Sequence, residues 1–252
     1  MDAPALETRD LTIRFGGHVA VDRVSCGFSA GTLTAIVGPN GAGKTTYFNL
    51  ISGQLRASAG SVHLNGVDVT QLPVSARTRL GMGRAFQLTN LFPNLSVAEN
   101  VRLAVQSRAG VGLDLLSLWS DRRELIAKAD TMLERVRLAD RREATVASLS
   151  HGDQRKLEVA LMLALEPEIF MFDEPTAGMS VDEVPTILEL IHEIKTRAHA
   201  TILLVEHKMD VVRSLADRII VLHNGQLVAD GLPEEVIASA VVQEAYLGVV
   251  AA

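Results

Sequence analysis

"GPNGAGKTT", Gly38 to Thr46, is the stretch on which the reading of this chain turns. It fits the pattern G-x-x-x-x-G-K-[ST] at Gly38, Gly43, Lys44 and Thr45. The apolar, β-rich run "TLTAIVG" stops at the first of these glycines. "KTTYFNLIS" follows with helical spacing at Phe48 and Ile51, and Gly53 is placed to end it. In such a strand–turn–helix setting, glycines let backbone N–H groups turn inward around phosphate oxygens, and the helix start adds partial positive charge. Lys44 is expected to reach the β- and γ-phosphates of a nucleotide, and the Thr45 hydroxyl to join the shell of a Mg²⁺ ion. The loop residues Gly38, Pro39, Asn40, Gly41, Ala42, Gly43, Lys44, Thr45 and Thr46 are therefore the expected cradle for the phosphates of a nucleotide. A glycine-rich turn with no ligand is the plain alternative, and the flanking strand and helix outweigh it. Kinases, GTPases, motors and transport ATPases all use such a loop, so it does not settle the reaction. The N-K-x-D segment of GTPases is absent.

Moving outward, "IFMFDE" places four apolar residues before Asp173 and Glu174. In a parallel sheet the strand carboxyl ends and the phosphate loop share one edge. Asp173 is thus expected to face the metal, through water, and Glu174 to polarise the water that attacks the γ-phosphate. "EIFMFDE", "TILLVEH" and "RIIVLHNG" are short apolar runs that alternate with helical segments, the pattern of a mostly parallel sheet covered on both faces. "LTIRF" and "AVDRVSCGFS" read as strands joined at Gly16-Gly17, and "GSVHLNGVDV" as a hairpin turning at Asn65-Gly66. From Ser96 to Glu166 strand signals vanish and helical patterns take over. The expected fold is α/β: a P-loop core with an N-terminal antiparallel β subdomain, 1–87 and 167–252, and an inserted helical lobe over about 88–166.

Composition narrows the class. The 252 residues are 48% hydrophobic, enough for a sizeable core, and the formal charge is −6 with both signs mixed along the chain. No long basic run points to nucleic acid. The lone Cys26 allows no internal disulfide and reads as a buried strand residue. "MDAPALETRD" lacks the apolar segment of a signal peptide, and no apolar run approaches the roughly 18 residues of a membrane span. A soluble chain is expected, with any membrane role supplied by a partner.

"GPNGAGKTT", Gln87 in "RAFQ", "LSHGD", "IFMFDEP" and "VEH" stand in the order and spacing of the ATPase subunits of ABC transporters. The resemblance covers essentially the whole chain, and five motifs in order make it specific. "RFGGHVAVDRVS", "RAFQLTNLFPNLSVAENV", "VEHKMDVV" and the ending "ADGLPEEV…AYLG" resemble the ATPases of branched-chain amino acid importers in particular. Importers for urea or short amides share much of this vocabulary. The resemblance implies that Phe15 stacks on adenine and that Gln87 touches the metal–water site and links it to the helical lobe. It implies that His207 contacts the γ-phosphate and orders Glu174. The commonest family signature, L-S-G-G-Q, is here varied at His151 and Asp153, and S-A-L-D by Ala177-Gly178-Met179-Ser180. His151, Asp153 and Ser180 are left without an assigned role.

"LSHGDQRKLE" is a glycine-notched helix start. Ser150 with Asp153 three residues on fits a capping box, and such a start is an anion site. Two ATPase subunits of the family pack head to tail, so Ser150 and Gly152 are expected to cover the nucleotide held by a second subunit, a copy or a paralogue. Two transmembrane permease subunits are the implied partners, with an external solute-binding protein acting indirectly. The implied location is peripheral, on the cytoplasmic face of the inner membrane. DNA-maintenance ABC ATPases carry a long coiled coil between phosphate loop and signature, where this chain has about a hundred residues. Translation-associated members usually carry two ATPase cores per chain, and a P-loop kinase does not account for "LSHGD".

Overall fold

The computed structural model describes residues 3–85, 91–111, 122–196, 199–239 and 242. The chain forms two compact units. One is built from the described parts of 1–84, 168–174 and 195–252, the other from those of 85–167 and 175–194. The stretch 175–194, read from the sequence with the α/β core, groups by proximity with the helices of the second unit.

The first unit holds two sheets. Strands β1 (Leu6–Phe15), β2 (His18–Phe28), β4 (Ala59–Leu64) and β5 (Val67–Asp68) form an antiparallel sheet in the order β2-β1-β4-β5. Between β4 and β5, Asn65 at φ 48° and Gly66 at φ 80° supply the two left-handed residues that a tight type I′ hairpin requires. The larger sheet runs β10-β9-β3-β8-β7-β6, with β3 (Leu33–Val37), β6 (Met82–Ala85), β7 (Ile169–Asp173), β8 (Thr201–Val205), β9 (Arg218–His223) and β10 (Gln226–Gly231). β3 pairs in parallel with both β8 and β9, β7 pairs in parallel with β8, and β10 closes the edge antiparallel to β9.

β3, β7 and β8 are buried along their whole length, which explains why they read as unbroken apolar runs rather than alternating ones. Ile36 joins a core with Phe28, Tyr47, Phe48, Leu203 and Leu222. Its neighbours Ala35 and Val37 face the opposite way, onto Val212 of α7 (Met209–Leu215) and Val236 of α8 (Pro233–Ala238). Tyr47 and Phe48 lie on α1 (Lys44–Ser52), and each fully buried side chain of that size contributes about 1.5–3 kcal/mol. The Tyr47 hydroxyl is satisfied by Thr8 Oγ1 at 2.8 Å. Arg77, on the short helix α2 (Val74–Arg79), is itself buried and donates to the carbonyls of Leu50 and Ile51. It closes the carbonyl end of α1 with a cation, the sign that the helix dipole favours there.

The second unit is helical. α3 (Val97–Arg108), α4 (Arg123–Arg135) and α5 (His151–Leu165) pack on one another, and α6 (Val184–Lys195) lies within the same unit up to Ile194. α3 opens on a full capping box: Ser96 Oγ accepts from Glu99 N, and the Glu99 carboxylate accepts from Ser96 N. α5 ends at Glu166, in the left-handed conformation at φ 47°, whose carboxylate is held by Lys128 at 2.7 Å.

Candidate nucleotide-binding site

The phosphate loop hangs from the carboxyl end of β3 and leads into α1. Glycine is required at both ends of the loop. Gly38 has φ 153°, and a Cβ there would lie 2.1 Å from the Leu222 carbonyl oxygen. Gly43 has φ 96°, and a Cβ there would lie 2.5 Å from the Ala20 carbonyl oxygen. Gly225 N donates to Ala42 O at 3.0 Å, which ties the loop to the β9–β10 turn. α1 starts on Gly43 with no side chain capping it, so its first N–H groups face the loop's own concavity. Lys44 is buried up to its ammonium, and Nζ donates to Gly38 O at 2.6 Å and Pro39 O at 3.0 Å. Burial lowers its pKa from the usual lysine value, while the neighbouring carboxylates of Glu174 and Asp173 act in the opposite direction. Thr45 is exposed one residue into the helix, and Thr46 is half-buried.

The acidic pair lies at the carboxyl end of β7, one strand removed from β3 across β8. Asp173 stands opposite Val205 in the parallel register, and its side chain is fully buried. Glu174 leaves the strand in the left-handed conformation, φ 50°, with its N–H on Val205 O at 2.9 Å. This strained turn re-aims the second carboxylate away from the strand direction. His207, just past β8, brings Nδ1 to 3.7 Å from Glu174 Oε1. That is close approach rather than a hydrogen bond. Phe15 ends β1 opposite His18 and is half exposed, leaving its ring accessible. Gln87 lies outside the described residues.

Thr45 and Asp173 offer a hydroxyl and a carboxylate, the hard oxygen donors that suit Mg²⁺. Among the described residues no group of three or more His, Cys, Asp or Glu could hold a metal by itself. The donor set fits an ion that arrives with nucleotide phosphates and retains waters.

Two further residues belong to this site, though the sequence reading did not single them out. Arg84 on β6 reaches Asp173 Oδ2 at 2.9 Å with Nη2, and its Nη1 lies 2.7 Å from both Asn49 Oδ1 and Ser52 Oγ on α1. Glu206, almost fully buried, accepts from the backbone N–H of His207 at 2.9 Å and of Lys208 at 3.2 Å. It clamps the turn that carries His207. An arginine inside the short strand "MGRA" and an acid directly after "TILLV" were the available signals, because a buried charge must find a partner.

The second unit contains the other predicted element. Ser150 is the N-cap of α5 and its Oγ accepts from Asp153 N at 3.1 Å. The reciprocal half of the expected capping box is replaced, because the Asp153 carboxylate takes Lys156 Nζ at 2.9 Å instead. Gly152 is buried because the Glu183 carboxylate lies over its α-carbon, 2.0 Å from where a Cβ would stand. Glu183 Oε2 also accepts from Ser180 N at 3.0 Å and Ser180 Oγ at 2.9 Å. Asp153 and Ser180, which the sequence left without roles, thus serve local helix and turn structure, while His151 stays exposed.

The profile of the ABC transporter family matches residues 21–177, more than half of the chain. The chain is an ABC transporter ATPase. It is 38% identical to the high-affinity branched-chain amino acid transport ATP-binding protein LivG of Escherichia coli K12, over 98% of this chain and 99% of that protein. It is 35% identical to BraF of Pseudomonas aeruginosa, a protein of the same description, over 98% and 99%. The crystal structure of a nucleotide-free ATP-binding cassette from an ABC transporter superposes with a TM-score of 0.81 at 29% identity, covering 98% of this chain and 99% of that one. An ADP-conformation cassette gives 0.81 at 29% identity, covering 99% and 100%. As an ABC ATPase subunit this chain binds ATP and couples its hydrolysis to transport by a larger complex. No helix among its described residues is long and apolar enough to cross a membrane.

Proposed function

We propose that this ATPase energises an importer for branched-chain or other small amino acids, bound peripherally on the cytoplasmic face of the inner membrane to two permease subunits. The full-length 38% identity to a branched-chain amino acid transport protein supports the substrate class. In this reading the loop from Gly38 to Thr46 wraps the phosphates, Lys44 exchanges its loop carbonyls for β- and γ-phosphate oxygens, and Phe15 stacks on adenine. Thr45, Asp173 and Gln87 would hold Mg²⁺, which would supply positive charge beside the phosphoryl oxygens. Glu174 orients and deprotonates the attacking water, and His207 steadies Glu174 and touches the γ-phosphate. The observation that carries the reading is the placement of Lys44, Asp173, Glu174 and His207 at one carboxyl edge of a single sheet.

Ser150 and the N–H of Gly152 act on the nucleotide of a second ATPase subunit, copy or paralogue, packed head to tail. ATP then joins two subunits and its hydrolysis releases them, a nucleotide switch of the order–release kind. A solute-binding protein outside the membrane delivers the substrate to the permeases. The test is reconstitution in vesicles with branched-chain amino acid permease subunits. The expected result is ATPase activity stimulated by a leucine-loaded binding protein, with leucine uptake that requires ATP. Stimulation only by urea or amide-loaded proteins would reassign the substrate, and stimulation by DNA or ribosomes alone would overturn transport.

A further inference from the structure

Arg84 sits where strand β6, the phosphate-loop helix and the acidic strand end converge. Its Nη2 meets Asp173 Oδ2 at 2.9 Å, with side-chain exposures of only 6% and 0%. Nη1 donates to Asn49 Oδ1 and Ser52 Oγ, both at 2.7 Å, and lies 3.3 Å from Gln54 Oε1. The guanidinium carbon Cζ lies over the Phe48 ring, 4.9 Å from its centroid. A guanidinium suits this place because it is planar, permanently charged and can serve several acceptors at once while stacking on a ring. A lysine would offer one point charge on a flexible stem.

From this convergence we infer that Arg84 is a positioning residue for Mg²⁺: it orients the Asp173 carboxylate against the phosphate-loop helix that carries Thr45. The inference rests on the reading of Asp173 and Thr45 as metal ligands. Oδ2 is held by Arg84 at 2.9 Å in a fully buried side chain, which restricts the orientation of the carboxylate's other edge. The far end of the guanidinium is locked by Asn49 and Ser52, so the two metal-ligating elements, β7 and α1, are braced through one side chain. Residues that hydrogen-bond a metal-ligating carboxylate set its orientation, and their removal typically costs 10–100-fold in metal affinity or activity. The positive charge of Arg84 opposes a nearby cation, so the direction of the measured effect discriminates: orientation predicts weaker metal binding without Arg84, simple repulsion predicts tighter.

The experiment measures ATP affinity by calorimetry in EDTA and again in saturating Mg²⁺, with Mn²⁺ binding by electron paramagnetic resonance as a second readout. Wild type gains affinity with the metal, and Asp173→Asn loses that gain. Arg84→Met is expected to bind ATP in EDTA as wild type does but to lose about tenfold or more of metal affinity, with Arg84→Lys in between. Since Arg84→Met removes a buried ion pair and can fail to fold, Asn49→Ala combined with Ser52→Ala frees the guanidinium while keeping that pair. That pair of changes is expected to weaken the metal in the same direction, by less. Wild-type or tighter metal binding in folded Arg84→Met, or in the double variant where Arg84→Met does not fold, overturns the inference. A retained metal gain in Asp173→Asn would instead overturn the assignment of Asp173 as a ligand.

Discussion

Two helix starts in this molecule are marked by glycine, and they are built in opposite ways. α1 begins on Gly43 with no capping side chain, behind a loop whose carbonyls are already occupied by Lys44. α5 begins on Ser150, whose hydroxyl takes the N–H of Asp153, with Gly152 sealed beneath the Glu183 carboxylate. At α1 the glycines bend the backbone of the β3–α1 connection, and the helix start is left without a side-chain cap. At α5 the helix completes much of its own start and needs only an outward face. In the proposed function the first wraps a nucleotide, and the second adds one side to a site formed elsewhere.

Replacing Glu174 with Gln is the strongest way to separate the two starts. Hydrolysis is expected to fall by about 10²–10⁴-fold, the range for losing a general base, while ATP binding persists. The protein should then accumulate as an ATP-dependent dimer in size-exclusion chromatography with light scattering. Near-normal turnover would refute Glu174 as the base, and a strictly single-chained product would contradict the shared role of α5. Next in size is Gly43→Ala. A left-handed φ of 96° and a Cβ 2.5 Å from a carbonyl oxygen make this substitution strained, at about 1–3 kcal/mol of stability. Calorimetry should find ATP binding lost even where thermal melting shows a folded chain. The mildest change is Ser150→Ala, which removes a cap worth about 1 kcal/mol. Melting should register that loss and steady-state turnover should drop, with ATP affinity of the isolated subunit unchanged. If Ser150→Ala weakened that affinity as Gly43→Ala does, the contrast between the two starts would collapse.

Much of the first start was legible in advance. Gly38, Gly43, Lys44 and Thr45 occur at the spacing of the phosphate-loop pattern, and the strand and helix around them are contiguous in sequence, so local rules suffice. The Asp173–Glu174 pair was legible for the same reason: four apolar residues and a parallel sheet place it at the carboxyl edge. Arg84 was not, because the partners described above lie on β7, on α1 and just beyond α1, as far as 89 positions away. The Ser150–Asp153 spacing promised a reciprocal cap, yet Lys156 competes for the Asp153 carboxylate and wins through opposite charge at short range. The complete capping box stands instead at Ser96 and Glu99, in a stretch read only as generally helical.

The sequence by itself determined the element order, the phosphate loop, the acidic strand end and the family to which they belong. Each of these depends on neighbours in the chain or on apolar periodicity, which local sterics and burial read directly. Only the tertiary structure decided that Arg84 pairs with Asp173 and that the Glu183 carboxylate covers Gly152. The physical reason is that a buried polar group accepts whichever partner the packing brings within about 3 Å. That choice is made by strand order and helix docking, and residue spacing along the chain does not encode it.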